Sequence, residues 1–146
     1  MKLYEIVPGK VYQRGEFMDF PREFKLKELR KHGIDIVVNV WSRPDMEISQ
    51  EMFRYIHWPI PDGELRDSDR RFLEGMALRV AGDILHEDHK VLVHCHAGRN
   101  RSALVSALLV RQLLDLSGEQ AIEYVRERRP NALANEHFCN YLKGLS

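Results

Sequence analysis

A chain of 146 residues, 44% of them apolar and 30% charged, is long enough for one compact domain with a real core and too short for two of ordinary size. Lys+Arg and Asp+Glu stand at 22 each, so the formal charge is zero. No global basic field draws the chain to nucleic acid, and any anion site has to be local.

No apolar run approaches the ~20 residues that cross a bilayer, and the start Met1-Lys2-Leu3-Tyr4-Glu5 has no apolar h-region of a signal peptide. The two cysteines, Cys95 after an apolar run and Cys139 in a terminal helix, make no disulfide framework. Reduced thiols fit the cytoplasm. The expectation is one cytoplasmic domain over residues 1–146, without a membrane span and monomeric.

In chain order, Val11-Tyr12-Gln13-Arg14 reads as a first strand. Pro21 can open a helix with Phe24, Leu26 and Leu29 on its apolar side and Gly33 as its stop. Ile34 to Val40 is rich in β-branched residues and reads as a buried strand. A short helix over Met46 to Phe53 precedes a strand at Tyr55-Ile56-His57-Trp58, which runs into the turn Pro59-Ile60-Pro61-Asp62-Gly63. From Ser68, the recurrence of Phe72, Leu73, Met76, Val80 and Ile84 predicts an amphipathic helix ending near His86, with Asp67 or Ser68 as its cap.

Val91-Leu92-Val93 is a short buried strand, and Ala103 to Leu114 is apolar almost all round, as a helix inside a domain is. Ser117 with Gln120 forms a capping box for a helix that stops before Pro130. The run Arg126-Glu127-Arg128-Arg129 reads as its solvated end. A last helix carries Phe138, Tyr141, Leu142 and Leu145. The alternation predicts an α/β fold, a mostly parallel central sheet flanked by helices.

The chemistry concentrates in His94-Cys95-His96-Ala97-Gly98-Arg99-Asn100-Arg101-Ser102, between the buried strand and the buried helix. A loop there turns successive backbone N–H groups toward one point at a helix N-terminus, which cradles a tetrahedral anion. Gly98 lets the backbone approach the ligand without a Cβ. The same field favours the thiolate of Cys95, a nucleophile. Arg101, six residues on, can hold two phosphoryl oxygens with its planar fork.

This loop resembles the His-Cys-x-x-Gly-x-x-Arg-Ser/Thr signature of the protein tyrosine phosphatase superfamily, dual-specificity branch. The stretches 11–15, 37–40 and 58–63 and the long helix before Val91 fall where small members of that branch have such features. The resemblance implies a metal-free, cofactor-free, two-step displacement through a phosphocysteine at Cys95, with residues 96–101 binding phosphate. It also implies that Ser102 eases departure of the sulfur and that His94 braces the loop. Asp62, 33 positions before Cys95, is the expected general acid, with Asp67 and Asp69 as competitors.

The expected substrates are phosphotyrosine, phosphoserine and phosphothreonine proteins. The basic His96 and Arg99 inside the loop resemble those of lipid-phosphate phosphatases and keep phosphoinositides or other small phosphoesters open. Asn100-Arg101 resembles the RNA 5′-triphosphatase branch, but Ala97 stands where that branch has histidine. A non-catalytic phosphate-recognition module and a sulfurtransferase are the readings of other classes.

Overall fold

The computed structural model describes residues 3–15 and 17–146, so Met1 and Lys2 of the mixed-charge start lie outside it. The elements follow in the order β1 (Tyr4–Val7), β2 (Val11–Arg14), α1 (Arg22–Lys31), β3 (Ile36–Asn39), α2 (Met46–Ser49) and β4 (Arg54–His57). Then come α3 (Asp67–Glu87), β5 (Val91–His94), α4 (Arg101–Leu114), α5 (Gly118–Arg128) and α6 (Glu136–Lys143). The strands form one five-stranded sheet in the order β1-β2-β5-β3-β4. Only β1 against β2 is antiparallel; β2, β5, β3 and β4 all run parallel.

The two-residue period of a strand divides the core. Val91, Val93, Ile36 and Val38 face α3, α4, α5 and α6, while Leu92, Val37 and Tyr12 face α1 and α2. Helix α4 lies over β2 and β5 between α3 and α5, and every residue from Ser102 to Val110 is buried. Truncating Leu104 or Leu108 there to alanine costs about 2–5 kcal/mol in lost transfer energy and residual cavity.

Several sequence expectations are corrected. Val11–Arg14 is the second strand, since Tyr4–Val7 pairs ahead of it, four residues with a charge among them being too short for a period-2 signal. Phe24 is 44% exposed, and Lys25 takes the inward position. The Lys25 ammonium is buried against Asp45 at 2.9 Å and Glu47 at 2.7 Å, and donates to the Met18 carbonyl at 3.1 Å. That pairing turns the 25/26/29 face of α1 inward, because a buried ammonium is tolerated only when its protons are taken.

Neither Asp67 nor Ser68 caps α3. Arg66 is the cap residue, and Asp69 accepts its backbone N–H at 3.0 Å. The capping box at Ser117 and Gln120 forms as expected, with bonds of 3.2 and 2.9 Å.

Candidate active site

Because β2, β5, β3 and β4 are parallel, their carboxyl ends reach one edge of the sheet, where open α/β sheets place ligands. Gly15, Cys95, Trp41 and the turn leading to Asp62 are what follow those ends. Residues far apart in sequence thus meet around the loop between β5 and α4.

At the floor of the loop Cys95 is 1% exposed. The Gly98 N–H donates to its Sγ at 3.2 Å, and the Ser102 hydroxyl lies 3.3 Å from the same sulfur. The Gly98 N–H and the Ser102 hydroxyl thus meet at one sulfur beside the N-terminus of the 14-residue helix α4, the end where helix N–H groups present partial positive charge. The backbone N–H groups of Ala97, Arg99 and Asn100 donate to nothing among the described residues, which leaves them to an anion. Arg101, the first residue of α4, is half-buried and its guanidinium takes no hydrogen bond or ion pair among the described residues.

Gly98 adopts φ +71°, and a Cβ built on it would stand 2.6 Å from the Gly15 nitrogen. Both facts demand glycine: a positive φ strains other residues, and the chain at Arg14-Gly15 passes too close for a methyl group. The Gly98 carbonyl accepts from Gln13 Nε2 at 2.8 Å and from Arg129 Nε at 2.9 Å. Gln13, buried in β2, in turn accepts from the Ser106 hydroxyl at 2.7 Å. Behind Arg99, Leu133 donates its N–H to the Arg99 carbonyl at 2.9 Å, while Arg99 Nε donates to the Asn131 carbonyl at 3.0 Å. Each bond fixes the loop before an anion arrives.

His94 is wholly buried beside Phe17, with 5.9 Å between ring centroids. Burial, reinforced by the nearby charge of Arg14, pushes its pKa down to about 3, so the ring is neutral at ordinary pH. On the open side His96 packs its ring against Trp41, 4.9 Å between centroids, and Arg43 lies over the same indole.

The aspartates separate cleanly. Asp62 is exposed beside the loop, and its two oxygens accept from Asn100 Nδ2 at 3.2 Å and Asn135 Nδ2 at 2.9 Å. Asp67 points to Arg70 at 3.0 Å at the surface. Asp69 is buried, and its oxygens accept from Arg66 Nε and Nη2 at 3.0 Å and from Trp58 Nε1 at 3.1 Å. The Arg66 guanidinium, outweighing burial, holds the Asp69 carboxyl below the usual carboxylate range. Of the three, Asp62 alone touches the loop among the described residues.

All of the residues expected at the site therefore lie in or against one loop. Asn100 differs in use: its side chain ties Asp62 and accepts the Asn135 N–H at 3.1 Å, leaving its backbone N–H for the anion. Three supports were missed: Gln13, Arg129 and Asn135. Gln13 had a faint signal, an amide inside a short apolar strand. Arg129 had none, because a basic helix end is normally solvated; Arg126 and Glu127 are indeed exposed, but Arg126 also donates to the Leu133 carbonyl at 2.8 Å and Arg128 stacks on Tyr124 at 3.4 Å, so the run is more than a solvated end.

Comparison with known proteins places this geometry. The family model described as "Dual specificity phosphatase, catalytic domain" matches residues 19–145. The chain is 32% identical over 118 residues to human "Dual specificity protein phosphatase 9", covering 80% of this chain and 30% of that protein. It is 29% identical over 139 residues to Drosophila melanogaster "Dual specificity protein phosphatase Mpk3", covering 94% and 32%. The chain thus spans about a third of the length of these two relatives. Among solved structures, the Cydia pomonella PTP-2 phosphatase superposes with a TM-score of 0.81 at 24% identity, over 97% of this chain and 88% of that one, a likeness of fold. The human tyrosine phosphatase-like serine/threonine/tyrosine-interacting protein superposes with a TM-score of 0.78 at 28% identity, over 97% and 93%.

Proposed function

Since this chain belongs to the dual-specificity phosphatase catalytic-domain family, we propose that it hydrolyses phosphomonoesters through a phosphocysteine at Cys95, on proteins carrying phosphotyrosine, phosphoserine or phosphothreonine. The observation that carries the reading is the convergence of the Gly98 N–H and the Ser102 hydroxyl on the Cys95 sulfur, at the floor of a loop with N–H groups to spare.

In the first step Cys95 Sγ attacks phosphorus while the loop N–H groups and Arg101 hold the non-bridging oxygens. An S–P bond forms, the P–O bond to the leaving group breaks, and the Asp62 carboxyl gives its proton to the departing oxygen. In the second step Asp62 takes a proton from water as that water attacks phosphorus. The S–P bond then breaks, and the Ser102 hydroxyl donates to the departing sulfur. Charge on the phosphoryl oxygens is met by donors already in place, which is where fixed dipoles act best.

A second reading rests on the outer face of the loop. His96 and Arg99 are exposed there, with Trp41 and Arg43 alongside, an arrangement that also suits a small polyanionic phosphoester such as a phosphoinositide.

The test is turnover of an aryl phosphate with excess chelator, native protein against Cys95→Ser, from pH 5 to 8. Metal-independent hydrolysis that vanishes in the variant supports the thiolate mechanism. Binding of a phosphate analogue without turnover in the native protein would instead leave a recognition module. Comparing kcat/KM for phosphopeptides and soluble phosphoinositides then orders the two substrate classes.

A further inference from the structure

Away from the phosphate loop, a groove of about 580 Å³ opens between the edge strand β4 and helix α3. Its floor is apolar: Ile56 from β4 and Phe72, Met76 and Val80 from α3. Arg71 and Arg79 stand on its helical wall, two turns apart, with Gly75 between them.

Three independent features mark this groove as a place where something outside the chain sits. The first is the strand edge. Arg54 N donates to the Asp35 carbonyl at 3.3 Å and Trp58 N to the Asn39 carbonyl at 3.0 Å, so the even-numbered residues of β4 face β3. By the alternation of a parallel ladder, Tyr55 and His57 turn their backbone N–H and C=O outward, where no strand pairs with them among the described residues. The Tyr55 ring is on the opposite face, bonded through its hydroxyl to Asn39 and Asp45, so Tyr55 lines the groove with its main chain.

The second feature is Gly75. It sits inside a 21-residue helix, where glycine weakens the helix, yet a Cβ there would meet nothing within 4 Å. Gly82 in the same helix is equally open, but Gly75 is the one that lines the groove, and there it leaves room for an incoming group.

The third is charge. Arg54 is neutralised by Asp83 at 2.9 Å, and Glu74, the acid next to Gly75, is engaged by the Tyr141 hydroxyl at 2.7 Å. Arg71 and Arg79 are exposed and pair with no carboxylate among the described residues. On a chain of zero net charge, that leaves two uncompensated guanidinium groups flanking an apolar slot.

We propose that an extended acidic segment of a partner protein adds to the sheet alongside β4. It would bond to the outward main chain of Tyr55 and His57, drop one apolar side chain into the slot at Gly75, and set its carboxylates against Arg71 and Arg79. Main-chain pairing supplies affinity, while the slot and the two arginines supply the choice of sequence.

The probe is an acetylated, amidated peptide of alternating glutamate and leucine, titrated into the nitrogen-labelled chain and followed by amide NMR. The proposal expects the first shifts at Tyr55, His57 and Gly75, with saturation at micromolar to low-millimolar peptide. It also expects at least an about tenfold weaker Kd for Arg71→Glu with Arg79→Glu, and loss of binding for Gly75→Leu, which fills the slot. An unchanged melting temperature of the variants separates loss of the site from loss of the fold.

Equal binding by the same peptide with lysine for glutamate would overturn the proposal, as would shifts that map elsewhere or no binding at millimolar peptide. Self-association in sedimentation that Gly75→Leu abolishes would assign the groove to a second copy of the chain and likewise overturn it.

Discussion

The phosphate loop and the 59–63 turn meet at Asn100 but are built on opposite terms. The loop is held from behind by buried groups, Gln13 and Arg129 on one carbonyl and Leu133 on the next, with Gly98 pressed against Gly15. The turn is anchored at its base, where Ile60 is buried and donates its N–H to the Val40 carbonyl at 3.2 Å, but Asp62 itself is exposed and held by two side-chain amides. Asp69, seven residues on, is buried and held ionised by a guanidinium.

The contrast suits the different tasks proposed for the two parts. A cradle for developing charge works best when its dipoles do not reorganise. An acid that must release and regain a proton needs water and neutral partners, which Asp62 has and Asp69 lacks.

The largest expected effect breaks the rigid half. Gly98→Ala puts a methyl group where the Gly15 nitrogen stands and forces a positive φ on alanine, at a combined cost of roughly 2–4 kcal/mol. Vanadate affinity and turnover should fall together; an unchanged affinity would mean that the loop yields easily.

Next comes the exposed half. Asp62→Ala should lower kcat by ~10²-fold with aryl phosphates whose leaving groups need protonation, and far less with leaving groups that do not. If Asp67→Ala shows that loss and Asp62→Ala does not, the assignment of the acid is wrong.

The rigid half also carries a pH signature. His94 has a folded pKa of about 3, below its ordinary value, so the unfolded chain binds the extra proton as pH falls through ~6.5. The contribution of the neutral ring is intact above that and declines toward pH 3, which costs about 2 kcal/mol between pH 7 and 5. Urea unfolding at both values checks this: His94→Gln should flatten the dependence, and an equally steep variant would place its origin elsewhere.

The smallest effect sharpens the comparison. Asn135→Ala removes one of the two amides on Asp62 and the cap of α6, since Asn135 Oδ1 accepts the Phe138 N–H at 3.2 Å. Losing the cap costs ~1 kcal/mol of stability. Losing the tether should lower kcat severalfold, and only for substrates with poor leaving groups; a loss equal for all leaving groups would reduce Asn135 to a structural role.

Most of this fold was legible from periodicity and punctuation. The run Ala103–Leu114, with scarcely a polar face, could only be a buried helix, and Ser117 with Gln120 fixed the start of the next one. Tyr4–Val7 escaped because so short a strand has no period to read. The inward turn of Lys25 escaped because its partners, Asp45 and Glu47, lie some twenty residues away. At the site the loop residues were legible because they are contiguous, and Asp62 because the resemblance pointed to it.

By itself the sequence determined the covalent equipment, a cysteine, an arginine, a serine and a glycine spaced to curl around one anion, since a loop's reach depends only on local chain geometry. Only the tertiary structure decided which aspartate joins it and what braces it. Gln13, Arg129 and Asn135 act across 85, 31 and 73 residues of separation, contacts that exist because the fold brings strand β2, the end of α5 and the start of α6 around one loop.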